Sequence, residues 1–266
     1  MSAAPPLADA ICCIDWDRPW LELVKAFGQA VQLQVATGAS VSTALSAVGG
    51  AHGDKADVMF VPASALPAAT PYESFVGCTG RVPTRNNLHD LFNGLVWLAF
   101  PQTKRWLNRC QTAEIARAGG TSGRARGALR DALTVLDENG AFLQAPDVLW
   151  QALAARDWAR LFIELRPLWQ QARLVPFGHA LLEKLVQPRK SITAHVLRLP
   201  TVIAPGTDAL DTAMMASLSP QRLLSCPAFI PLPVLGIPGW WPENGAAGFY
   251  DDVCVFRPRR PPTAAH

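Results

Sequence analysis

Apolar residues recur at helical spacing over residues 88–99. Leu88, Leu91, Phe92, Leu95, Val96 and Ala99 fall at i, i+3, i+4, i+7, i+8 and i+11, which makes one face of a helix. His89, Asn93 and Trp97 fall at i, i+4 and i+8 on a second line, and Arg85 lies one turn before it. Pro83 and Thr84 predict an extended entry. Asn86 or Asn87 then caps the helix. Phe100-Pro101 ends it, and Pro101 opens a second helix. On that second helix Lys104, Asn108 and Gln111 share one side, while Trp106, Cys110 and Ala113 share another. Trp97 and Trp106 are both expected to be largely buried.

The same reading extends along the chain. Residues 20–37 form an amphipathic helix with Leu21, Val24, Phe27, Val31 and Val35 inward. Residues 42–48 form a short helix that Gly49-Gly50 ends. The run 58–61 is a buried strand, and 72–78 a second strand. Residues 128–136 are helix or strand, and Asn139-Gly140 marks either a hairpin turn or a helix end. Residues 146–171 are two helices broken near Asp157, 179–186 a helix, 192–199 a strand and 208–218 a last helix. Residues 226–258 are rich in Pro, Gly and aromatics and give few regular signals. They are expected as an ordered wrap, with Trp240, Trp241, Phe249 and Tyr250 packed down. The architecture predicted is α+β: one mainly helical domain over residues 18–258 with a small sheet and that wrap. Residues 1–17 are a loose lead-in and 259–266 a frayed tail.

Composition narrows the class. With 50% hydrophobic and 17% charged residues in a chain of 266, the protein is globular and able to bury a large core. A net charge of +3 does not demand a nucleic-acid partner. Six cysteines show no C-x-x-C spacing, and they read as reduced, mostly buried thiols of a cytoplasmic protein. The first residues lack a basic segment and a long apolar run, so no secretory signal is expected. The best candidate for a membrane span, 225–242, carries no charge but holds five prolines and cannot make a membrane helix.

Candidate chemistry centres on His89. It falls in the first helical turn beside Asp90, where backbone N–H groups disfavour an imidazolium, so a neutral ring can act as a base. Arg85 and Asn93 would hold developing negative charge, and His179 or a wrap carboxylate, Asp251 or Asp252, would close the pocket. Glu183, at i+4 from His179, would orient that ring. Asp131, Asp137, Glu138 and Arg257 are further candidates. This set suits hydrolysis or proton transfer on a small anionic molecule. The structural reading of the same residues is that Asp90 complements the helix dipole and His89 bonds a loop. A divalent metal is open to His and Asp side chains, but no H-x-x-x-H or H-E-x-x-H motif supports one. No G-x-S-x-G elbow or P-loop occurs. Arg117, Arg124, Arg126 and Arg130 form one basic cluster, and Arg257, Arg259 and Arg260 another. They read as solvated charge; on one shared face they would serve the alternative function, a non-catalytic interaction or nucleic-acid-associated protein.

The run VPTRNNLHDLFNGLVWLAFPQTKRWLN resembles a signature of a bacterial family known only as domain of unknown function three thousand and twenty-five. RDALTVLDENGA, GHALLEKL and LPVLGIPGWWPENGAAGFYDDVCVFR resemble the same family, and together the runs span about residues 57–258. Gly94, where alanine is expected, is a departure. The resemblance implies membership and no mechanism.

Overall fold

The computed structural model describes residues 7–51, 53, 57–119, 127–225, 227–246 and 248–259. The chain enters through α1 (Leu7–Cys12). Ile11, Ile14 and Trp16 are buried, so the expected loose lead-in belongs to the body from residue 7 onward. The helix expected over 20–37 is shorter, because a tight turn over Pro19–Leu21 precedes α2 (Lys25–Ala36). Next comes α3 (Val41–Ala51), which runs on through Gly49 and Gly50. Burial of Val41, Ala44, Leu45 and Val48 outweighs the low helix propensity of two glycines.

The strand expected at 58–61 forms as β1 (Met59–Pro62) and pairs in parallel with β2 (Arg81–Thr84), Phe60 opposite Val82. Parallel neighbours need a crossover between them, and α4 (Tyr72–Thr79) provides it. The strand expected at 72–78 is therefore a helix. Gly80 ends it at φ 64°, a left-handed position that glycine adopts without cost.

The central pattern forms α5 (Leu88–Ala99) with the boundaries expected. Asn87 caps it by accepting from the Asp90 N–H at 2.7 Å. Asn86 instead accepts from the Val41 N–H and so begins α3. After Phe100 the chain starts α6 (Pro101–Arg117). Here the sides are reversed from simple expectation: the polar residues Lys104, Asn108 and Gln111 are buried, while Trp106 and Cys110 are only half-buried. Trp106→Ala is thus expected to cost about 1–2 kcal/mol in chemical denaturation, within the ordinary range for single substitutions. A deleted core aromatic costs about 3–5 kcal/mol. The first turn of α6 is capped from a distance. Asp211 accepts from Gln102 N at 2.7 Å, Thr103 N at 3.0 Å and Thr103 Oγ1 at 2.6 Å.

The rest of the chain builds the larger sheet. Helix α7 (Ala128–Asn139) runs straight into β3 (Gly140–Gln144), so Asn139-Gly140 is a helix end and no hairpin. After it come α8 (Asp147–Ala155) and an irregular helical stretch over Arg160–Glu164 and Arg166–Gln171. Then follow β4 (Arg173–Pro176), α9 (His179–Val186), β5 (Thr193–Arg198) and α10 (Thr207–Ala216), the helix that carries Asp211. After the single turn α11 (Pro220–Leu223) comes β6 (Ile230–Pro233). The sheet order is β4-β3-β5-β6, with β3 and β5 parallel and both outer pairs antiparallel. Pro231 and Pro233 suit β6 to an edge, where a missing N–H breaks no ladder. The wrap thus contributes a strand that its composition hides.

The remainder of the wrap packs as expected. Tyr250 stacks on Phe162 at 5.1 Å, Phe249 and Phe256 join the same cluster, and Trp240 lies 5.9 Å from Trp20. The fold is α+β and predominantly helical, and among the described residues no helix is long and apolar enough to cross a membrane. Cysteines depart from expectation: Cys12, Cys13, Cys78 and Cys254 are exposed and Cys110 is half-buried, none in a disulfide. Cys226, Arg124, Arg126, Arg260 and the tail beyond residue 259 lie outside the described residues.

Candidate functional site

Four helix ends meet around one cavity of about 340 Å³. Tyr72 begins α4, His89 lies in the first turn of α5, and His179 begins α9. Asp137 and Glu138 lie in the last turn of α7. Three helix N-termini therefore point their positive ends at the place where carboxylates gather, which makes that gathering tolerable.

The histidines are the closest pair. His89 Nε2 and His179 Nε2 stand 3.0 Å apart, with the rings edge to face. Glu183 does not orient His179, its neighbour one turn back on α9. It reaches across to His89, with Oε2 2.9 Å from Nδ1. His179 Nδ1 lies 3.6 Å from Asp137 Oδ1 and has no hydrogen-bond partner among the described residues. Glu138 Oε1 stands 3.6 Å from His179 Nε2.

Behind the histidines runs a buried polar chain. Lys104 donates to Asp137 Oδ1 at 2.6 Å and to Asn93 Oδ1 at 2.8 Å, and lies over the Trp97 ring. The Asn93 amide donates to the Tyr72 hydroxyl oxygen at 3.0 Å. Burial pushes the Tyr72 hydroxyl up, above the ordinary phenol range, so it stays neutral. Burial would also raise the Asp137 carboxyl, but the Lys104 ammonium and the His179 ring hold it well below the usual carboxylate range.

Of the residues singled out in the sequence, His89, Asn93, Arg85 and His179 all line this cavity. Arg85 is not free to clamp an anion in the way its charge suggests. Its backbone N–H, Nε and one terminal nitrogen all donate to Asp90, and Asp90 is buried. The wrap carboxylates do not close the cavity. Asp251 is exposed on a turn of the wrap, and Asp252 pairs with Lys190 at 3.2 Å. Arg257 donates to Cys254 O, and Asp131 is exposed. Sequence reasoning missed Tyr72, which it placed on a strand, and Lys104, whose partners come from α5 and α7. The signal for Lys104 was the polar side it shares with Asn108 and Gln111 on a helix whose other side is not apolar enough to be the core face.

His89 and Asn93 are expected to respond differently to truncation. His89 is one-third exposed, as is its partner Glu183, so His89→Ala should shift stability by less than about 1 kcal/mol. Asn93→Ala leaves the buried Lys104 ammonium short of one acceptor and the Tyr72 oxygen short of one donor, which should cost about 1–3 kcal/mol. Thermal melts of the two variants check this; equal shifts would show that the polar chain behind the histidines carries no strain of burial.

Comparisons with curated proteins and with solved structures give no match. A family model does match, and the match covers residues 58–260, which includes every residue lining the cavity. The chain belongs to the family described as protein of unknown function (DUF3025).

Proposed function

We propose that the cavity is the catalytic centre of a hydrolase, with the His89–His179 pair as the group that handles the proton of an attacking water. The observation that carries this reading is the 3.0 Å approach of two imidazole nitrogens inside a cavity of small-molecule size. Each ring is backed by a carboxylate, as a ring must be to present a fixed face to substrate. Tyr72 and Asn93 supply neutral hydrogen-bonding groups beside it.

Charge bears on the substrate. The lining holds Glu73, Asp90, Asp137 and Glu138 against Arg85 and the neighbouring Lys104. An anionic small molecule thus needs its charge met by something beyond Arg85. The same carboxylates oppose a phosphate backbone, which favours the enzyme over nucleic-acid binding at this site. Unpaired cysteines, four of them exposed, support a reducing cytoplasmic setting.

The test is a panel of carboxylic esters, amides and phosphoesters offered to the purified protein. At least one class should be hydrolysed, with kcat/KM falling by about 10²–10⁴-fold in His89→Ala, the range for loss of a positioned acid–base group. No hydrolysis in any class, or equal activity in His89→Ala, removes the reading.

A further inference from the structure

Two neutral rings do not satisfy the histidine pair. His89 Nδ1 faces Glu183 at 2.9 Å, and the Asp137 carboxylate oxygen lies 3.6 Å from His179 Nδ1. A carboxylate only accepts, so a hydrogen on Nδ1 of each ring is the arrangement that suits these neighbours. In two neutral rings each Nε2 then presents a lone pair, and the two lone pairs face one another across 3.0 Å. They repel unless a positive species lies between them.

We propose that His89 Nε2, His179 Nε2 and a carboxylate oxygen of Glu138 bind one divalent transition-metal ion. The inference keeps the hydrolase reading, on which it rests for the ion's role though not for its binding, and gives the pair the part of ligands in place of proton handling. Ligand atoms of the three residues all lie within 4.8 Å of one another. In a tetrahedral site with bonds of about 2.0–2.1 Å, two ligating nitrogens stand about 3.3 Å apart. The observed 3.0 Å needs only a small rotation of the one-third exposed His89 ring.

The surroundings fit the same ion. A metal-bound histidine nearly always donates its other N–H to a carboxylate; Glu183 takes that part for His89, and the Asp137 carboxylate stands 3.6 Å from the corresponding nitrogen of His179. Charge agrees as well. Asp90 is matched by Arg85 and Asp137 by Lys104, while Glu73 and Glu138 have no lysine or arginine partner among the described residues. A double positive charge balances them. Two imidazoles with one carboxylate select zinc or ferrous iron over magnesium or calcium, which take oxygen ligands. Three protein ligands leave a coordination position for water on the cavity side, and bound water at such a site loses a proton near pH ~7. In that case His89 is a ligand rather than a base, and an anionic substrate gains the positive partner that Arg85 does not supply.

The full-length protein, stripped with a chelator and titrated with Zn²⁺ against a chromogenic chelator, is expected to bind one equivalent. Co²⁺ added to the same protein should give the strong visible bands of a four- or five-coordinate ion. His89→Ala and Glu138→Gln should each weaken Zn²⁺ binding by at least about a hundredfold, and Glu183→Gln, through the outer partner, by about 10–100-fold. Asp251→Asn, exposed and away from the cavity, should bind as wild type does. Circular dichroism confirms that each variant is folded. No binding of Zn²⁺ or Co²⁺ by the folded protein overturns the inference, as does binding that survives both His89→Ala and Glu138→Gln. If the stripped protein keeps full hydrolytic activity, a shared proton holds the pair and the acid–base reading stands alone. If one equivalent of zinc binds and no substrate is hydrolysed, the metal site stands and the hydrolase reading falls.

Discussion

Asp137→Ala is expected to destabilise the protein by about 3–5 kcal/mol, measured as the loss of unfolding free energy in denaturant. Lys104 is only 3% exposed, and Asp137 is its one anionic partner among the described residues. Truncation leaves a buried ammonium with the Asn93 carbonyl and the Trp97 ring face, neither of which carries a full charge. The cost comes from the stranded charge more than from the lost bond, since a buried pair returns little net energy over an apolar pair of the same size. The double variant Lys104→Met/Asp137→Leu should therefore recover most of the loss while abolishing the support under His179. A double variant as unstable as the single one would show that the pair contributes specific bonding beyond charge balance.

Gly178→Ala is expected to cost upwards of roughly 3 kcal/mol, at or beyond the usual range for overpacking. A Cβ at this position would lie 2.5 Å from Asn139 N and from the carbonyl carbon and oxygen of Glu138. These are backbone atoms, so no rotamer change makes room. The same contact sets the distance between Glu138 at the end of α7 and His179 at the start of α9. The Gly140 carbonyl reinforces it by accepting from both Phe177 N and Gly178 N. Gly178→Ala should thus lose Zn²⁺ binding together with stability, whereas Trp106→Ala should lose a little stability alone. Melting and zinc titration of the two variants separate these outcomes.

Period and capping made α5, α9, β5 and α10 legible in the sequence to within one or two residues. These elements carry an apolar face at regular spacing, and α5 also carries its own cap. What failed had a tertiary cause. Residues 72–79 are apolar enough for a strand, and only the parallel pairing of β1 with β2 demands a helix there. β6 is masked by its prolines, which are tolerated because no described strand pairs with its outer edge. At the site, His89, Asn93, Arg85 and His179 could be found because polar residues on a helix with a complete apolar face need another explanation. Glu183 could be named and was assigned to the wrong ring, since the approach of α5 to α9 is not written in either helix. Buried Lys104 was invisible for the same reason: its burial depends on acceptors from two other helices.

The cap on α6 bears on the order in which the protein is made. Every residue lining the cavity precedes Asp211, in places by more than a hundred positions. A nascent chain that has not yet emerged as far as α10 holds the whole set and still leaves the N–H groups of Gln102 and Thr103 without their acceptor. Those groups sit directly before Lys104, whose place decides the ionisation of Asp137 and, through it, the seating of His179. Maturation of the cavity consequently waits on a helix made after all of its lining residues, one that contributes nothing to its walls.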